Sequence, residues 1–341
     1  MPRTLRAQHD RFALARPFRI ARGVKTVAEV VTVTVRDGSH VGRGEGVPYA
    51  RYGESIDAAL AAIDRVRPAI EAGAGPHDLL ALMPPGAARN AVDCALWDLE
   101  ARARGRSVAE LTGVAPPGPT ASALTIGIDT PDAMAAAAAK VAGAPLIKVK
   151  VDADDPVARL RAVRAAAPGP RLIVDPNESW DEELLRAMQL PLVELGTDLV
   201  EQPVAADADA WLAGFTPAVP ICADEAVHVA DDLDRIAGRY QAVNIKLDKT
   251  GGLTAAIALA DAAQARGLTL MTGCMISSSL SIAPALHIAG RCAFVDLDGP
   301  VWLREDRPGG VTDRHGIMLP PQPGFWGDGM TETDAANGIA T

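Results

Sequence analysis

The chain has 341 residues and a net charge of −10, from 33 basic and 43 acidic side chains, a balance that repels phosphate backbones and argues against nucleic-acid binding. Apolar residues make up 48% and charged residues 22%, which excludes disordered and fibrous classes; the length fits about two domains of roughly 150 residues, or one large barrel with an appendage. The four cysteines, Cys94, Cys222, Cys274 and Cys292, are dispersed with no CxxC pair, which excludes a disulfide framework or zinc knuckle and fits a reducing cytoplasm.

The first twenty residues are interrupted by Arg3, Arg6, His9, Asp10, Arg11, Arg16 and Arg19, so no signal-peptide core is expected there. No stretch reaches the roughly 18 apolar residues of a membrane span. Val30 to Val35 read VVTVTV, an alternating strand, and Asp37-Gly38 predicts a turn into a second strand near Val41 to Val47. Helical spacing follows over Ser55 to Ala72 and Ala87 to Arg104. Residues 1–115 are therefore expected to form an α+β domain, closed by the breaker cluster Pro116, Pro117, Gly118 and Pro119.

Beyond it, strand candidates begin near Thr120, Leu146, Arg171, Asp198, Pro220, Ala242, Leu268 and Ala293, about 22 to 27 residues apart. Helical stretches such as Pro131 to Ala142, Pro156 to Ala167, Asp181 to Leu195, Leu253 to Arg266 and Leu280 to Ala289 lie between them. Eight βα units at parallel-crossover spacing predict a (β/α)8-type barrel over 116–320, with a doubly wound open sheet as the rival. Residues 321–341 read as a tail, partly packed on the cap and partly disordered.

In a barrel of this kind the C-terminal strand ends carry the chemistry. Here they read IKVKV with Lys148 and Lys150, IVDPNESW with Asp175, LVEQP with Glu201, ICADE with Asp224 and Glu225, VNIKLDKTGG with Lys246, and FVDLDGP with Asp296 and Asp298. Asp175, Glu201 and Asp224 come from consecutive strands and are expected to converge; three like charges in a dry mouth call for a divalent cation, and an all-oxygen set indicates Mg²⁺. Lys148 and Lys150, two apart on a strand, both point into the barrel, and Lys246 enters from across it. Two facing lysines suggest proton removal from one face of a carbon and return at the other, with a Lys246 pKa lowered by Lys148 and the metal. Asp296 and Asp298 also share a side and have no basic neighbour in sequence before Arg304, so a substrate ammonium is the expected partner. GRGEG at Gly42 to Gly46 lacks dinucleotide-fingerprint spacing, Lys249-Thr250-Gly251-Gly252 is no phosphate loop, and no GxSxG is present. The six histidines read as structural or surface residues.

These motifs, in this order and spacing, resemble the muconate-lactonizing subgroup of the enolase superfamily, and most closely its dipeptide epimerases. PFRIARG, YARYGES and GAARNAVDCALWDLEARARG look like that group's capping domain, so the likeness covers nearly the whole chain. The resemblance implies metal ligands at Asp175, Glu201 and Asp224 and acid/base lysines at Lys150 and Lys246. It implies substrate contacts at Thr125, Lys148, Cys274 (through its carbonyl), Asp296 and Asp298. A basic residue of the cap loop, Arg22 within the stretch Arg22 to Lys25, would select the substrate side chain. Pro176 stands where many relatives carry Ala.

The implied activity is Mg²⁺-dependent epimerisation of a dipeptide, with L-Ala-D/L-Glu as the expected substrate, through an enediolate. That would serve recycling of cell-wall peptide fragments in the cytoplasm, with no nucleic-acid or membrane partner and a homo-oligomer left open. N-acylamino-acid racemase, o-succinylbenzoate synthase and cycloisomerase are the alternatives within the same fold, since they share the metal triad and both lysines. From other classes stand a glycoside hydrolase using Glu201 with Glu225, which the 4% aromatic content disfavours, and a non-catalytic barrel.

Overall fold

A computed structural model describes residues 2–330. Its N-terminal part is an antiparallel sheet, β1 (Thr4–Ile20), β2 (Gly23–Asp37) and β3 (His40–Gly46), backed by α1 (Ile56–Glu71), the short α2 (Leu79–Leu82), α3 (Ala87–Arg104) and α4 (Val108–Thr112). β1 and β2 form one long hairpin whose register shifts between Ala13 and Phe18, and its tip at Ile20–Gly23 reaches the barrel mouth. The charge-rich β1 was not legible as a strand, because only Leu5 and Leu14 of its 17 residues are buried.

The glycines of GRGEG have a packing reason. A Cβ on Gly42, Gly44 or Gly46 would come within 2.1–2.2 Å of a backbone oxygen of Ala95, Ala91 or Ala87, so α3 lies directly on β3 only because these alternate positions carry no side chain.

After β4 (Thr120–Ala121), eight parallel strands follow: β5 (Leu124–Ile126), β6 (Leu146–Lys150), β7 (Arg171–Asp175), β8 (Leu199–Glu201), β9 (Ile221–Ala223), β10 (Ala242–Ile245), β11 (Thr269–Gly273) and β12 (Phe294–Asp296). Their spatial order follows the chain, which excludes the doubly wound alternative, and Ala123 N donating to Val295 O at 2.7 Å brings the first and last strands together. The helices are α5 (Pro131–Lys140), α6 (Pro156–Ala166), α7 (Glu182–Glu194), α8 (Leu233–Ile236), α9 (Leu247–Thr250), α10 (Leu253–Ala265) and α11 (Ser279–Ala289). Thr130, Asp155 and Asp181 cap α5, α6 and α7 through their side chains, with Pro131 and Pro156 opening the first two.

Two expectations need correction. Thr120 does not start a barrel strand: β4 pairs outward with β14 (Ile317–Leu319), itself paired with β13 (Thr312–Arg314), and the first barrel strand begins at Leu124. Nor are the crossovers between the strands alike. The one after β8 holds only a short turn at Ala210–Gly214 in a segment interrupted by Pro203, Pro217 and Pro220, and the one after β9 holds a turn at Ala230–Asp232 that runs into the four residues of α8.

The tail residues up to 330 pack on the cap: Trp326 Nε1 donates to Arg43 O at 2.9 Å, and Arg102 donates to Gly324 O and Met330 O. The disorder expected for the rest of the tail falls on residues outside those described. No helix among the described residues is long and apolar enough to cross a membrane.

Candidate active site

The site is built by the two-residue period of the strands. Ala123, Leu146, Ile173, Leu199, Cys222, Ala242, Met271 and Phe294, from the eight barrel strands or their first flanking residues, form one buried apolar cluster inside the barrel. Two residues further along each strand the same inward direction carries Thr125, Lys148, Asp175, Glu201, Asp224, Asn244, Gly273 and Asp296. All but Gly273 are buried polar groups. Two more residues on come Lys150, Asn177, Lys246 and Asp298, at the rim. A cleft of about 650 Å³, counted to its open mouth, lies between this rim and the cap; Arg22, Thr125, Lys148, Lys150, Asp224, Lys246, Cys274, Asp296 and Asp298 line it, and no histidine does.

Asp175, Glu201 and Asp224 are all buried at this end, but lysines stand among them. Lys148 Nζ lies 2.9 Å from Asp175 Oδ2, 2.6 Å from Glu201 Oε2 and 2.8 Å from Asp296 Oδ2. Lys150 donates to Asp175 Oδ2, and Lys246 donates to Asp224 Oδ2 at 2.6 Å. The three carboxylates thus meet around ammonium groups, and among the described residues no three acidic, His or Cys groups are arranged as a ready cage for a metal. Mutual attraction of opposite charges in a low dielectric has drawn the ammonium groups into that space.

The donor set nevertheless fits a hard cation. Glu201 Oε1 accepts from Asn244 Nδ2 at 2.9 Å, while Oε2, though close to Lys148, accepts no hydrogen bond. Burial, then repulsion from Asp175, pushes the Glu201 carboxyl up to about 7 despite Lys148. Asp175 is also buried, yet Lys148 and Lys150 hold it below the usual carboxylate range; Asp224 is likewise held low against burial by Lys246 and Lys249. Negative charge is thus in excess at Glu201 and over-satisfied beside it, a distribution a dication among three oxygen ligands would even out.

Lys246 departs from expectation. Burial pushes its ammonium down, but Asp224 and Glu201 outweigh burial and Lys148, and the net direction is up. The expected fall invoked Lys148 together with a bound metal; Lys148 alone does not offset the carboxylate 2.6 Å away. Asp296 departs too, because Lys148 is the basic neighbour that sequence distance hid. Asp298 accepts from Thr125 N at 2.7 Å and Trp302 Nε1 at 3.2 Å; burial and the adjacent Asp296 push it up to about 6.

Arg22, at the tip of the β1–β2 hairpin, is committed within the protein. Its guanidinium donates to Glu225 Oε1 at 2.7 Å, Glu178 Oε2 at 3.2 Å, Asn177 O at 3.0 Å and Tyr49 Oη at 3.3 Å. Arg51 is bound to Glu178 as well. Among the described residues no carboxylate lies within ion-pair distance of Lys25; its Nζ sits 4.9 Å from the Tyr49 ring centroid on the wall of the cleft.

The polar residues of α3 explain how the cap holds the sixth strand's loop. Arg89 donates to Thr250 O and Gly251 O, Asn90 to Asp248 Oδ1, and Trp97 Nε1 to Thr254 Oγ1, which itself donates to Asp93. Gly252, at φ 114°, leaves no room for a Cβ against Asp93. The run KTGG is therefore a docking surface for the cap, directly behind Lys246.

The fold and this rim define a barrel that presents opposed lysines and acidic groups beneath a capping sheet. Residues 3–113 match the mandelate racemase / muconate lactonizing enzyme N-terminal domain, and residues 132–327 match the enolase C-terminal domain-like family. The chain belongs to this enolase-superfamily group, and it is an isomerase of the racemase and epimerase kind. It is 47% identical to an L-Ala-D/L-Glu epimerase of Escherichia coli K12 over 89% of this chain and 95% of that one. It is 43% identical to an N-acetyl-D-glutamate racemase of a Pseudoalteromonas species, over 87% and 95%. Among solved structures, an enolase family member from Agrobacterium tumefaciens with homology to dipeptide epimerases, holding sodium and L-Ala-L-Glu, superposes with a TM-score of 0.93 at 50% identity, covering 96% of this chain and all of that one. A dipeptide epimerase from Cytophaga hutchinsonii, complexed with Mg and D-Ala-L-Val, gives 0.87 at 27% identity, with 94% of each chain covered. Membership sets the glycoside hydrolase and non-catalytic readings aside.

Proposed function

We propose that this protein is a Mg²⁺-dependent dipeptide epimerase that inverts the α-carbon of the C-terminal residue, with L-Ala-D/L-Glu as substrate. The observation that carries the reading is the pair Lys150 and Lys246, from strands half a barrel apart, both nearly buried and both opening onto one cleft. Asp175, Glu201 and Asp224 would hold the metal, which supplies positive charge to the substrate carboxylate. Lys148 lies where it can pair with the same carboxylate.

One lysine, as the free amine, takes the α-proton from its face, and the electron pair passes into the carboxylate as an enediolate. The other, as ammonium, returns a proton to the opposite face. Each turnover leaves the two lysines with exchanged protonation states, which suits an enzyme working in both directions. Asp296 and Asp298 would receive the substrate α-ammonium. Four free thiols fit action in a reducing cytoplasm, on peptides released from the cell wall. A cap of 1–115, a barrel of 116–320 and a tail of 321–341 are the domains of this reading.

A second reading has its own support. With Asp296 already paired to Lys148 and Asp298 raised to about 6, the pocket can also present a protonated carboxyl to an N-acyl carbonyl, and the 43%-identical relative is named for N-acetylglutamate. Incubating a dipeptide library and N-acetylglutamate in D₂O and reading α-deuterium by mass spectrometry tests both. Deuterium in L-Ala-L-Glu is expected; exchange confined to N-acetylglutamate moves the second reading ahead, and no exchange in any substrate overturns both.

A further inference from the structure

One lysine at the site has no part in that mechanism. Lys249, on α9, is 1% exposed, and its Nζ donates to Asp224 Oδ1 at 2.6 Å, to Asn244 O at 3.0 Å and to the backbone carbonyl of Asp224. An ammonium has three N–H donors, and all three are used. Lys249 therefore has no proton free to hand to a substrate, in contrast to Lys246, which meets Asp224 at the other oxygen, Oδ2, and lines the cleft.

Burying a charge this deeply is unfavourable unless its contacts do something a methionine of similar size would not. What these contacts do is geometric. The backbone N–H of Asp224 is held by Gln202 Oε1 at 2.8 Å, and its backbone carbonyl and Oδ1 by Lys249. Every polar atom of the residue except Oδ2 is thereby fixed, and Oδ2 faces Lys246 and is the oxygen left for the metal of the proposed reading. Asn244, the third anchor, lies two residues before Lys246 on the same strand, so one ammonium ties the strand of Lys246 to its carboxylate partner.

We propose that Lys249 is a positioning residue for one half of the acid/base pair: it locks the Asp224 carboxylate so that Lys246 stays on its face of the substrate carbon. Lys150, which rests on Asp175 across the barrel, has no contact with this brace. The inference rests on the dipeptide-epimerase reading and makes it asymmetric: loss of Lys249 disturbs one proton transfer and spares the other.

The test is α-proton exchange in D₂O at saturating Mg²⁺, measured separately for L-Ala-L-Glu and L-Ala-D-Glu in Lys249→Met and Lys249→Arg. The enantiomer each lysine serves is assigned with Lys150→Ala and Lys246→Ala. Lys249→Met should slow exchange on the Lys246 side at least tenfold more than on the Lys150 side, and Lys249→Arg should restore part of the difference. A metal-free crystal structure of Lys249→Met should show the Asp224 carboxylate turned and Lys246 Nζ moved from its present place. Equal slowing on both sides, or an unmoved Asp224, overturns the proposal while leaving the epimerase reading intact. Absence of exchange by the wild type for any dipeptide removes the reading itself. Should Lys249→Met fail to fold, Lys249→Gln carries the same comparison, and failure of both to fold while Lys249→Arg folds with an unchanged exchange ratio marks the residue as purely structural and overturns the proposal.

Discussion

Two rings of side chains stand on the same eight strands, two residues apart, and they have opposite natures. The lower ring, from Ala123 through Ile173 to Phe294, is apolar and closed; the upper, from Thr125 through Asp175 to Asp296, is charged and opens to the cap. Both inherit one inward direction from the pleat, so the contrast is set by residue choice alone. The lower ring excludes water from beneath, and that exclusion makes each charge in the upper ring strong and each unpaired oxygen costly. Stability and chemistry are thus separated by about 7 Å along a strand.

That separation should be sharpest for the lysines. Lys246→Ala should stop epimerisation in both directions while Lys150 still exchanges the α-proton of its own enantiomer, with the missing transfer costing roughly 10²–10⁴-fold. Its melting temperature should stay close to wild type, because the residue lies at the rim. Equal loss of exchange from both enantiomers would argue for a single base. Ile173→Ala in the lower ring should do the reverse, lowering stability by about 2–5 kcal/mol while the folded fraction keeps its kcat. Chemical denaturation beside an exchange assay separates the two, and a large kcat loss in Ile173→Ala would break the comparison.

The proposed metal would belong to the upper ring alone. Asp224→Asn, or EDTA, should reduce turnover by orders of magnitude without unfolding the barrel. Full activity in metal-free buffer would rule out the cation. Gly273 gives a smaller, more local effect. It is the one upper-ring position without a side chain, and a Cβ there would stand 2.9 Å from the Asn244 amide and 3.1 Å from Lys246 Cε. Gly273→Ala should therefore displace the Lys246 stem and cost up to about a hundredfold in kcat, on the scale of a 1 Å misplacement. Unchanged kinetics would show that the stem has slack.

The charged members of the upper ring were legible in sequence because they stand at or near the ends of short strands marked by the motifs IKVKV, DPNES, EQP, ADE and DLDGP; Thr125 came only through the resemblance, and Asn244 and Gly273 were not read at all. The partnerships were not legible. Lys148 and Asp296 are 148 residues apart and Arg22 and Glu225 are 203 apart, so nothing in their local sequence tells that each already has a counter-charge. Lys249 was hidden for a different reason: a lysine in KTGG reads as solvated, and only the cap, docking through Arg89 and Asn90, buries the loop that carries it. The long first strand escaped because most of its residues face away from the core.

Asp298 gives a pH test of the same ring. With its pKa raised to about 6 by burial and Asp296, it ionises only as the pH rises through that value. Lys148 faces Asp296 rather than Asp298, and Thr125 and Trp302 donate neutral hydrogen bonds to Asp298 itself. Binding of a substrate ammonium needs the charged form, so KM for L-Ala-L-Glu should climb as the pH falls below about 6 and level off above it. In Asp298→Asn the KM should be high throughout and flat over that range. A wild-type KM independent of pH between 5 and 8 would mean the ammonium is bound elsewhere.

The smallest expected effect concerns which cap residue reads the substrate's side chain, Arg22 as the resemblance implies or Lys25 beside it. Arg22 was the candidate, but Glu225 and Glu178 already satisfy its charge, and breaking those pairs to bind a third carboxylate returns little. Lys25 lies three residues further on, on the cleft wall, with its Nζ over the Tyr49 ring and Glu29 and Asp248 as more distant counter-charges. Burial, helped by Arg22, pushes its ammonium down, so an incoming carboxylate would relieve a group that the free enzyme holds at a disadvantage. A charge-assisted hydrogen bond there is worth roughly 1.5–3 kcal/mol, or about ten- to a hundredfold in kcat/KM. Lys25→Met should thus narrow the preference for Ala-Glu over a neutral dipeptide such as Ala-Gln by that factor, whereas Arg22→Met should alter kcat and KM for both alike by loosening the loop against Glu225. If Arg22→Met removes the preference and Lys25→Met leaves it, Arg22 must exchange Glu225 for the substrate on binding, and the ion pair at the tip of the hairpin is a contact that opens during turnover.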